Sequence, residues 1–93
     1  MADFRLVFRV HAIRRMAERG IDTSDVRHVL ATGDTVEAYP DDDPYPSRLV
    51  LGWCAGRPVH VVVADNEEDG ESVIVTVYEP DAARWDDGFK KRR

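Results

Sequence analysis

The segment VHVVVADNEEDGESVIVTVYE, residues 59–79, decides the fold because it contains two strands and the loop between them. The β-branched runs VHVVVA (residues 59–64) and VIVTVYE (residues 73–79) are typical of strands, and the acidic stretch DNEEDGE between them is typical of a loop. Successive side chains of a strand point to opposite faces. The simplest antiparallel register sets two rows of valines on one face, which we expect to lie under helices: Val59, Val61 and Val63 beside Val73, Val75 and Val77.

The other face of this hairpin carries its polar side chains. His60, Thr76 and Tyr78 fall on that face of adjacent strands, and the register brings them close together. A histidine inside an apolar strand is most often a buried group that is hydrogen-bonded within the core. The neighbouring hydroxyl groups favour the alternative, a functional site on a partly open face of the sheet. The sequence leaves both interpretations open.

Three more strands are predicted outward from this hairpin. RLVLGWC (residues 48–54) is joined to VHVVVA by the tight turn AGRP, and DTVEAYP (residues 34–40) precedes an acidic, proline-rich loop. Near the N-terminus, FRLVFRV (residues 4–10) alternates apolar and basic side chains, as a strand with one buried face does.

Two helices are predicted between the first and second strands. The first, within VHAIRRMAERG (residues 10–20), has an apolar stripe at helical spacing and ends at a glycine: Ile13, Met16, Ala17 and Gly20. The second, within GIDTSDVRHVLATG (residues 20–33), begins at the N-cap Asp22 with Asp25 three residues later, and it ends at Gly33.

DAARWDDGFKKRR (residues 81–93) predicts a short terminal helix or tail, with Ala82, Trp85 and Phe89 at helical spacing. The predicted order is therefore β-α-α-β-β-β-β-α. It describes a single α+β domain spanning residues 1–93, with a largely antiparallel sheet and the helices packed on one face.

The first helix gathers cationic side chains. His11, Arg15 and Arg19 are spaced four residues apart, so they form a stripe at the edge of the apolar face and are expected to look into a cleft beside the polar face of the sheet. Surface arginines are most often solvated or paired with acidic groups, here the acidic loops. The alternative is recognition of a phosphate or a carboxylate, for which the guanidinium group is well suited.

The amino-acid composition limits the classes of function that the protein can have. The formal net charge is −5, which argues against a uniformly basic nucleic-acid binder, but residues 34–71 carry net −8 while both flanking segments are mildly basic. No apolar run is long enough to cross a membrane, and no secretory signal is visible. The single cysteine, Cys54, cannot form an internal disulfide, which fits a reducing compartment, so we expect a cytoplasmic protein. No motif for a metal or an organic cofactor is present, and none is expected.

Several motifs, in this order, resemble the bacterial domain of unknown function 4258 family. They are HAIRRMAERGI (residues 11–21), ATGDTVEAYPDDDPYPSRLVLGW (residues 31–53), GRPVHVVVA (residues 56–64) and VIVTVYEP (residues 73–80). The resemblance extends over nearly the whole chain and includes these positions: His11, Arg15, Arg19, Gly20, Tyr39, His60, Thr76, Tyr78 and Pro80.

The order of elements in that family is similar to the small ribonuclease-toxin folds, namely the RelE and BrnT toxins and their barnase-like relatives. Those proteins cleave RNA without a metal, by attack of a ribose 2′-hydroxyl on the adjacent phosphate. The resemblance implies RNA as the substrate and a cognate antitoxin protein as a partner. It implies the following roles: His11 or His60 as base and acid, Arg15 and Arg19 on the phosphate, and Thr76 and Tyr78 orienting it. The acidic pI near 5.0 and the absence of lysine before Lys90 are departures from those toxins.

Three interpretations of function follow. The first is a metal-independent endoribonuclease with a histidine–arginine phosphate site. The second is a non-catalytic module that binds an anion or a partner in the same cleft. The third is a structural domain whose basic stripe pairs with its own acidic loops.

Overall fold

The computed structural model describes residues 4–93, which form two helices and five strands in an α+β fold. In chain order these are β1 (Arg5–Phe8), α1 (Val10–Arg19), α2 (Thr23–Thr32), β2 (Asp34–Tyr39), β3 (Ser47–Cys54), β4 (Arg57–Asn66) and β5 (Glu71–Tyr78). All seven elements correspond to segments predicted from the sequence. Among the described residues, no helix is both long enough and apolar enough to cross a membrane.

The strands form one sheet in the order β1-β5-β4-β3-β2, and the sheet is mixed. The neighbours β2, β3, β4 and β5 pair antiparallel, as predicted, but β1 pairs parallel with β5, through Arg5 to Phe8 against Glu71 to Ile74. The prediction of a largely antiparallel sheet is therefore confirmed for these four strands, and the β1–β5 edge is the exception. An alternating pattern shows which side chains share a face, but it carries no information about the direction of the neighbouring strand.

A β-bulge changes the face assignment on β5. Val61 pairs with Val77 and Val63 pairs with Ile74, so β5 contains one extra residue between these pairs. Ile74 and Val77 are consequently both buried under the helices with the valines of β4. The predicted row is confirmed for Val77 and wrong for Val73 and Val75. Thr76 and Tyr78 keep their predicted place, because they pair with Val62 and His60 on the opposite face.

The core between the helices and the sheet uses a different stripe of α1 from the predicted one. Ala12 and Met16 are buried, whereas Ile13 is 53% exposed and Ala17 is exposed too. Val26 and Val29 of α2 complete the helical side of this core. Met16 belongs to both stripes, and Ala12, one turn before it, is buried in place of Ile13.

The predicted helix ends are confirmed. Gly20 adopts the left-handed conformation (φ 65°) that ends α1, and its N–H donates to the Met16 carbonyl oxygen. Asp22 and Asp25 form a reciprocal capping box at the start of α2, each side chain accepting a hydrogen bond from the other residue's backbone N–H. Hydrogen bonds to Ser24 and to the Asp25 N–H hold the pKa of the Asp22 carboxyl below its usual value.

Residues 81–93, which we call the C-terminal strap, are not a helix. The strap contains turns and a β-bridge between Trp85 and Arg92, and Phe89 has a left-handed backbone (φ 58°). Asp81 accepts a hydrogen bond from the Ala83 N–H, and Asp86 accepts from the N–H groups of two later residues, Lys90 and Lys91. Such local side-chain bonds compete with helical hydrogen bonding, which explains why the helical spacing of apolar residues misled the prediction.

The C-terminal strap covers the face of the sheet that the helices leave free. Trp85 is only 3% exposed, and its ring packs edge-on against His60 at 4.6 Å between centroids. Ion pairs from Lys90 to Asp34 and from Arg92 to Glu37 tie the strap to β2. The sheet is thus covered on both faces in this region, and the face predicted to be open is partly closed by the strap.

The contact between α2 and β3 requires a glycine in the strand. A Cβ atom at Gly52 would lie 2.7 Å from Val29 Cγ2 and 2.9 Å from Val29 Cα. We predict that Gly52→Ala lowers the free energy of unfolding by roughly 1–3 kcal/mol, because α2 must move away from the sheet. Chemical denaturation of the purified variant measures this. Gly88→Ala is the control, since the nearest atom to its Cβ is 3.8 Å away; an equal effect of both substitutions would contradict the close-packing explanation.

Candidate functional site

A groove opens where α1 lies beside β5. Because β1 pairs only with residues Glu71 to Ile74, the second half of β5 is free on that edge, and α1 runs along it. The groove has a volume of about 480 Å³. We call it the arginine groove, and its lining residues are His11, Arg15, Arg19, Thr76, Tyr78, Glu79, Asp81, Arg84, Trp85 and Arg92.

Five of the six site residues predicted from the sequence line this groove, and His60 does not. His11, Arg15 and Arg19 come from α1 and form one wall. Thr76 and Tyr78 come from β5 and form the floor. The spacing of four residues on the helix and of two on the strand is what places the five side chains together.

His11 is the exposed imidazole of the groove. Its Nε2 atom lies 3.1 Å from the Thr76 hydroxyl oxygen, and the residue is exposed. A threonine hydroxyl both donates and accepts, so it can hold either protonation state of the ring. The imidazole is therefore oriented by the strand and still accessible to a ligand.

The groove is cationic although the protein is acidic. Four arginines and His11 face two carboxylates, those of Glu79 and Asp81. Glu79 is paired with Arg57 at 2.9 Å, outside the groove lining. Of the groove arginines, Arg15 pairs with Glu18 at 3.1 Å and Arg92 pairs with Glu37 at 3.2 Å.

Two arginines of the groove are available to a ligand. Within residues 4–93, neither Arg19 nor Arg84 forms an ion pair. The partner of Arg15 is on its own helix, so no member of the basic stripe is paired with the acidic loops among the described residues. This arrangement weighs against the structural interpretation, in which the stripe serves only to neutralise those loops.

His60 lies directly behind the groove and is fully buried. Its Nε2 is 2.9 Å from the Phe89 carbonyl oxygen, and its Nδ1 is 3.2 Å from the Tyr78 hydroxyl. A carbonyl oxygen can only accept, so we assign the ring hydrogen to Nε2, and Nδ1 then accepts from the Tyr78 O–H. Of the two interpretations that the sequence left open, His60 fits the buried, hydrogen-bonded core group, and Tyr78 separates its ring from the groove.

Burial sets the protonation of this pair. Loss of solvent lowers the pKa of His60 below its ordinary value of 6.5, and the nearby Arg92 charge lowers it further. Burial also raises the pKa of the Tyr78 hydroxyl. Burial therefore favours the neutral imidazole of His60 and the protonated hydroxyl of Tyr78, which directs its hydrogen toward His60.

Residues of the C-terminal strap were not predicted as part of the site. Arg84, Trp85 and Arg92 form the wall opposite α1, and the Arg92 guanidinium lies over the Trp85 ring at 4.5 Å from its centroid. The sequence offered only a basic terminus, KKRR, which is typical of frayed ends. Nothing in the local pattern indicates that these residues fold back across the sheet.

Arg92 also connects the groove to β2. It pairs with Glu37, whose carboxylate accepts a hydrogen bond from the Tyr39 hydroxyl. The hydrogen bond from Tyr39 is the main cause that lowers the pKa of the Glu37 carboxyl, and Arg92 lowers it further. Glu37 is thereby kept ionised, which anchors Arg92 and with it the outer part of the C-terminal strap.

A second cavity lies at the other end of the sheet. It has a volume of about 650 Å³, and its rim includes Asp65, Glu67 and Glu68. It contains none of the predicted site residues. In the part of the chain that the structure describes, no three histidine, cysteine, aspartate or glutamate side chains are placed to hold a metal ion together.

The fold and the groove define a small α+β domain with a cationic site open to solvent. The chain belongs to the family described as Domain of unknown function (DUF4258), whose model matches residues 8–79. This match confirms the family resemblance drawn from the motifs. It includes all six predicted site residues and ends before the C-terminal strap. No curated protein and no solved structure matches the chain.

The buried His60 makes stability depend on pH. Because the pKa of His60 is lower in the folded state, the unfolded chain binds more protons as the pH falls through 6.5, and the free energy of unfolding decreases. We predict that the melting temperature of the wild type falls more steeply between pH 7.5 and 5.5 than that of His60→Gln. His28→Gln, which replaces an exposed histidine of α2, should retain the wild-type slope. Equal slopes for the wild type and His60→Gln would contradict this assignment.

Proposed function

We propose that the protein is an endoribonuclease that cleaves single-stranded RNA in the arginine groove without a metal. The observation that carries the proposal is the position of His11, an exposed imidazole at 3.1 Å from Thr76 in a groove lined by four arginines. A group that transfers protons and groups that bind a phosphate are the two requirements of this chemistry.

The arginines supply the electrostatic part of the reaction. Attack of a ribose 2′-hydroxyl on the adjacent phosphorus adds negative charge to the phosphate oxygens. Arg15 lies one turn beyond His11 on the same stripe of α1, which suits it to hold the phosphate beside the imidazole. A guanidinium group can donate two parallel hydrogen bonds to these oxygens and stabilise the charge that develops.

The two proton transfers are assigned to different groups. His11, as the neutral imidazole, takes the proton of the 2′-hydroxyl. Tyr78, which burial keeps protonated, gives its proton to the departing 5′-oxygen. The products are a 2′,3′-cyclic phosphate and a 5′-hydroxyl, and transfer of a proton from His11 to Tyr78 through water restores both groups.

The proposal includes the wider resemblance to RelE-like and BrnT-like toxins. It is supported by the order of elements, two helices followed by a four-stranded antiparallel run, with the site between the first helix and the last strand. A protein of this class would work in the cytoplasm under the control of a cognate antitoxin protein.

The second candidate function is binding of RNA or another phosphate ligand without cleavage. A specific observation favours it: His60 is fully buried and both of its ring nitrogens are bonded within the protein. His11 is then the one histidine among the described residues that lines the groove. Binding by the arginines requires neither proton transfer, so it does not depend on the Tyr78–His60 pair.

The deciding experiment incubates the purified protein with a mixed-sequence RNA in EDTA. We predict fragments ending in 2′,3′-cyclic phosphate, and a rate at least about 100-fold lower for His11→Ala, because one proton transfer is lost. His28→Ala, which removes an exposed histidine of the other helix, should retain the wild-type rate.

The other outcomes are equally informative. RNA binding by the folded wild type without any cleavage would support the second candidate and reject the nuclease. Cleavage that persists unchanged in His11→Ala would move the chemistry away from this groove.

A further inference from the structure

The arginine groove is long enough to contact more than one phosphate group of a ligand. His11 and Arg19 are eight residues apart on α1, so their backbones are separated by about 12 Å along the helix axis. The scissile phosphate lies beside His11 and Tyr78 in the proposed function. Arg19 is too far along the helix to contact that phosphate. It lies at the end of the groove formed by Glu79, because Arg57 donates hydrogen bonds to the Arg19 carbonyl oxygen at 2.8 Å and to the Glu79 carboxylate at 2.9 Å.

Arg84 lines the same groove from the C-terminal strap. It is exposed on the turn that begins at Asp81, where its N–H donates to the Asp81 carbonyl oxygen at 2.9 Å. Arg19 and Arg84 are the two groove arginines without an ion pair in residues 4–93. The carboxylates at this end have other partners: Glu79 pairs with Arg57, and Asp81 accepts from the Ala83 N–H.

We propose that Arg19 and Arg84 form a second phosphate subsite, which binds the phosphate next to the scissile one in a single strand of RNA. This inference rests on the proposed function and adds its substrate class, an oligonucleotide with at least two phosphates. The groove volume of about 480 Å³ is in the range that encloses one small ligand, so it accommodates a short part of one strand. Side chains four residues apart on α1, such as Arg15 and Arg19, are separated by about 6 Å along the helix axis. This separation is similar to the distance between successive phosphates in one strand of RNA.

The residue that completes this subsite lies outside the family match. The match ends at residue 79, and Arg84 is five residues further on. The C-terminal strap therefore has two effects on the groove: its Phe89 carbonyl orients His60, and its Arg84 extends the cationic surface.

The test uses three substrates with a single ribose 2′-hydroxyl and therefore a single cleavable bond. One is a dinucleotide, and the other two are extended by one deoxynucleotide on the 5′ or the 3′ side. We predict that one of the extended substrates has a kcat/KM at least about tenfold above that of the dinucleotide, as expected for an added charge-assisted contact. In Arg84→Ala the ratio between the two substrates should fall at least about threefold, because Arg19 alone remains in the subsite, and Arg84→Lys should recover part of it.

Arg14→Ala is the matched control, since Arg14 is an exposed arginine of α1 outside the groove lining and should retain the wild-type ratio. Equal kcat/KM for all three substrates, or a ratio that survives Arg84→Ala, would overturn the subsite while leaving the nuclease intact. If no substrate is cleaved, the nuclease proposal fails, and fluorescence anisotropy with the same three oligonucleotides decides the subsite separately. Tighter binding of an extended oligonucleotide, lost in Arg84→Ala, would support it, and equal binding would reject it.

Discussion

The parallel pairing of β1 with the first half of β5 determines where the rest of the molecule lies. Four residue pairs, ending at Phe8 and Ile74, are formed before the chain turns, and the Arg9 N–H bonds the Ile74 carbonyl oxygen at 3.1 Å. The next residue begins α1, so the helix must continue along the half of β5 that has no strand beside it. A longer β1 would occupy that edge. The groove, and the approach of His11 to Thr76, follow from the shortness of one strand.

The buried ring of His60 connects the C-terminal strap to the groove. An imidazole enclosed in a protein must have both nitrogens hydrogen-bonded, since an unsatisfied polar atom in the interior is unfavourable. The Phe89 carbonyl satisfies one nitrogen and the Tyr78 hydroxyl satisfies the other. The C-terminal strap and the groove floor are therefore joined through one ring. This arrangement combines the two interpretations that the sequence left open, because His60 is a satisfied core group that also orients a groove residue.

Local signals in the sequence predicted the elements, and interactions between distant segments limited the prediction. The capping box of Asp22 and Asp25 and the left-handed Gly20 depend on a few neighbouring residues, so their patterns were sufficient. The stripe of His11, Arg15 and Arg19 was placed correctly because helical spacing is regular. The bulge in β5 and the direction of β1 depend on pairing between distant segments. The C-terminal strap depends on a tryptophan whose partner lies on β4, and no local pattern records that contact.

The negative net charge of the chain is compatible with a cationic groove because the charges are segregated. The acidic loops at residues 40–46 and 67–70 lie at one end of the sheet, and the groove lies toward the other end of β5. The seven residue steps from Glu71 to Tyr78 span about 23 Å at the usual rise of a strand. Interactions between exposed charges are screened beyond about 8 Å at physiological ionic strength. The potential that a ligand meets in the groove is therefore set by the charged groups close to it, and the acidic loops at the other end of the sheet contribute little.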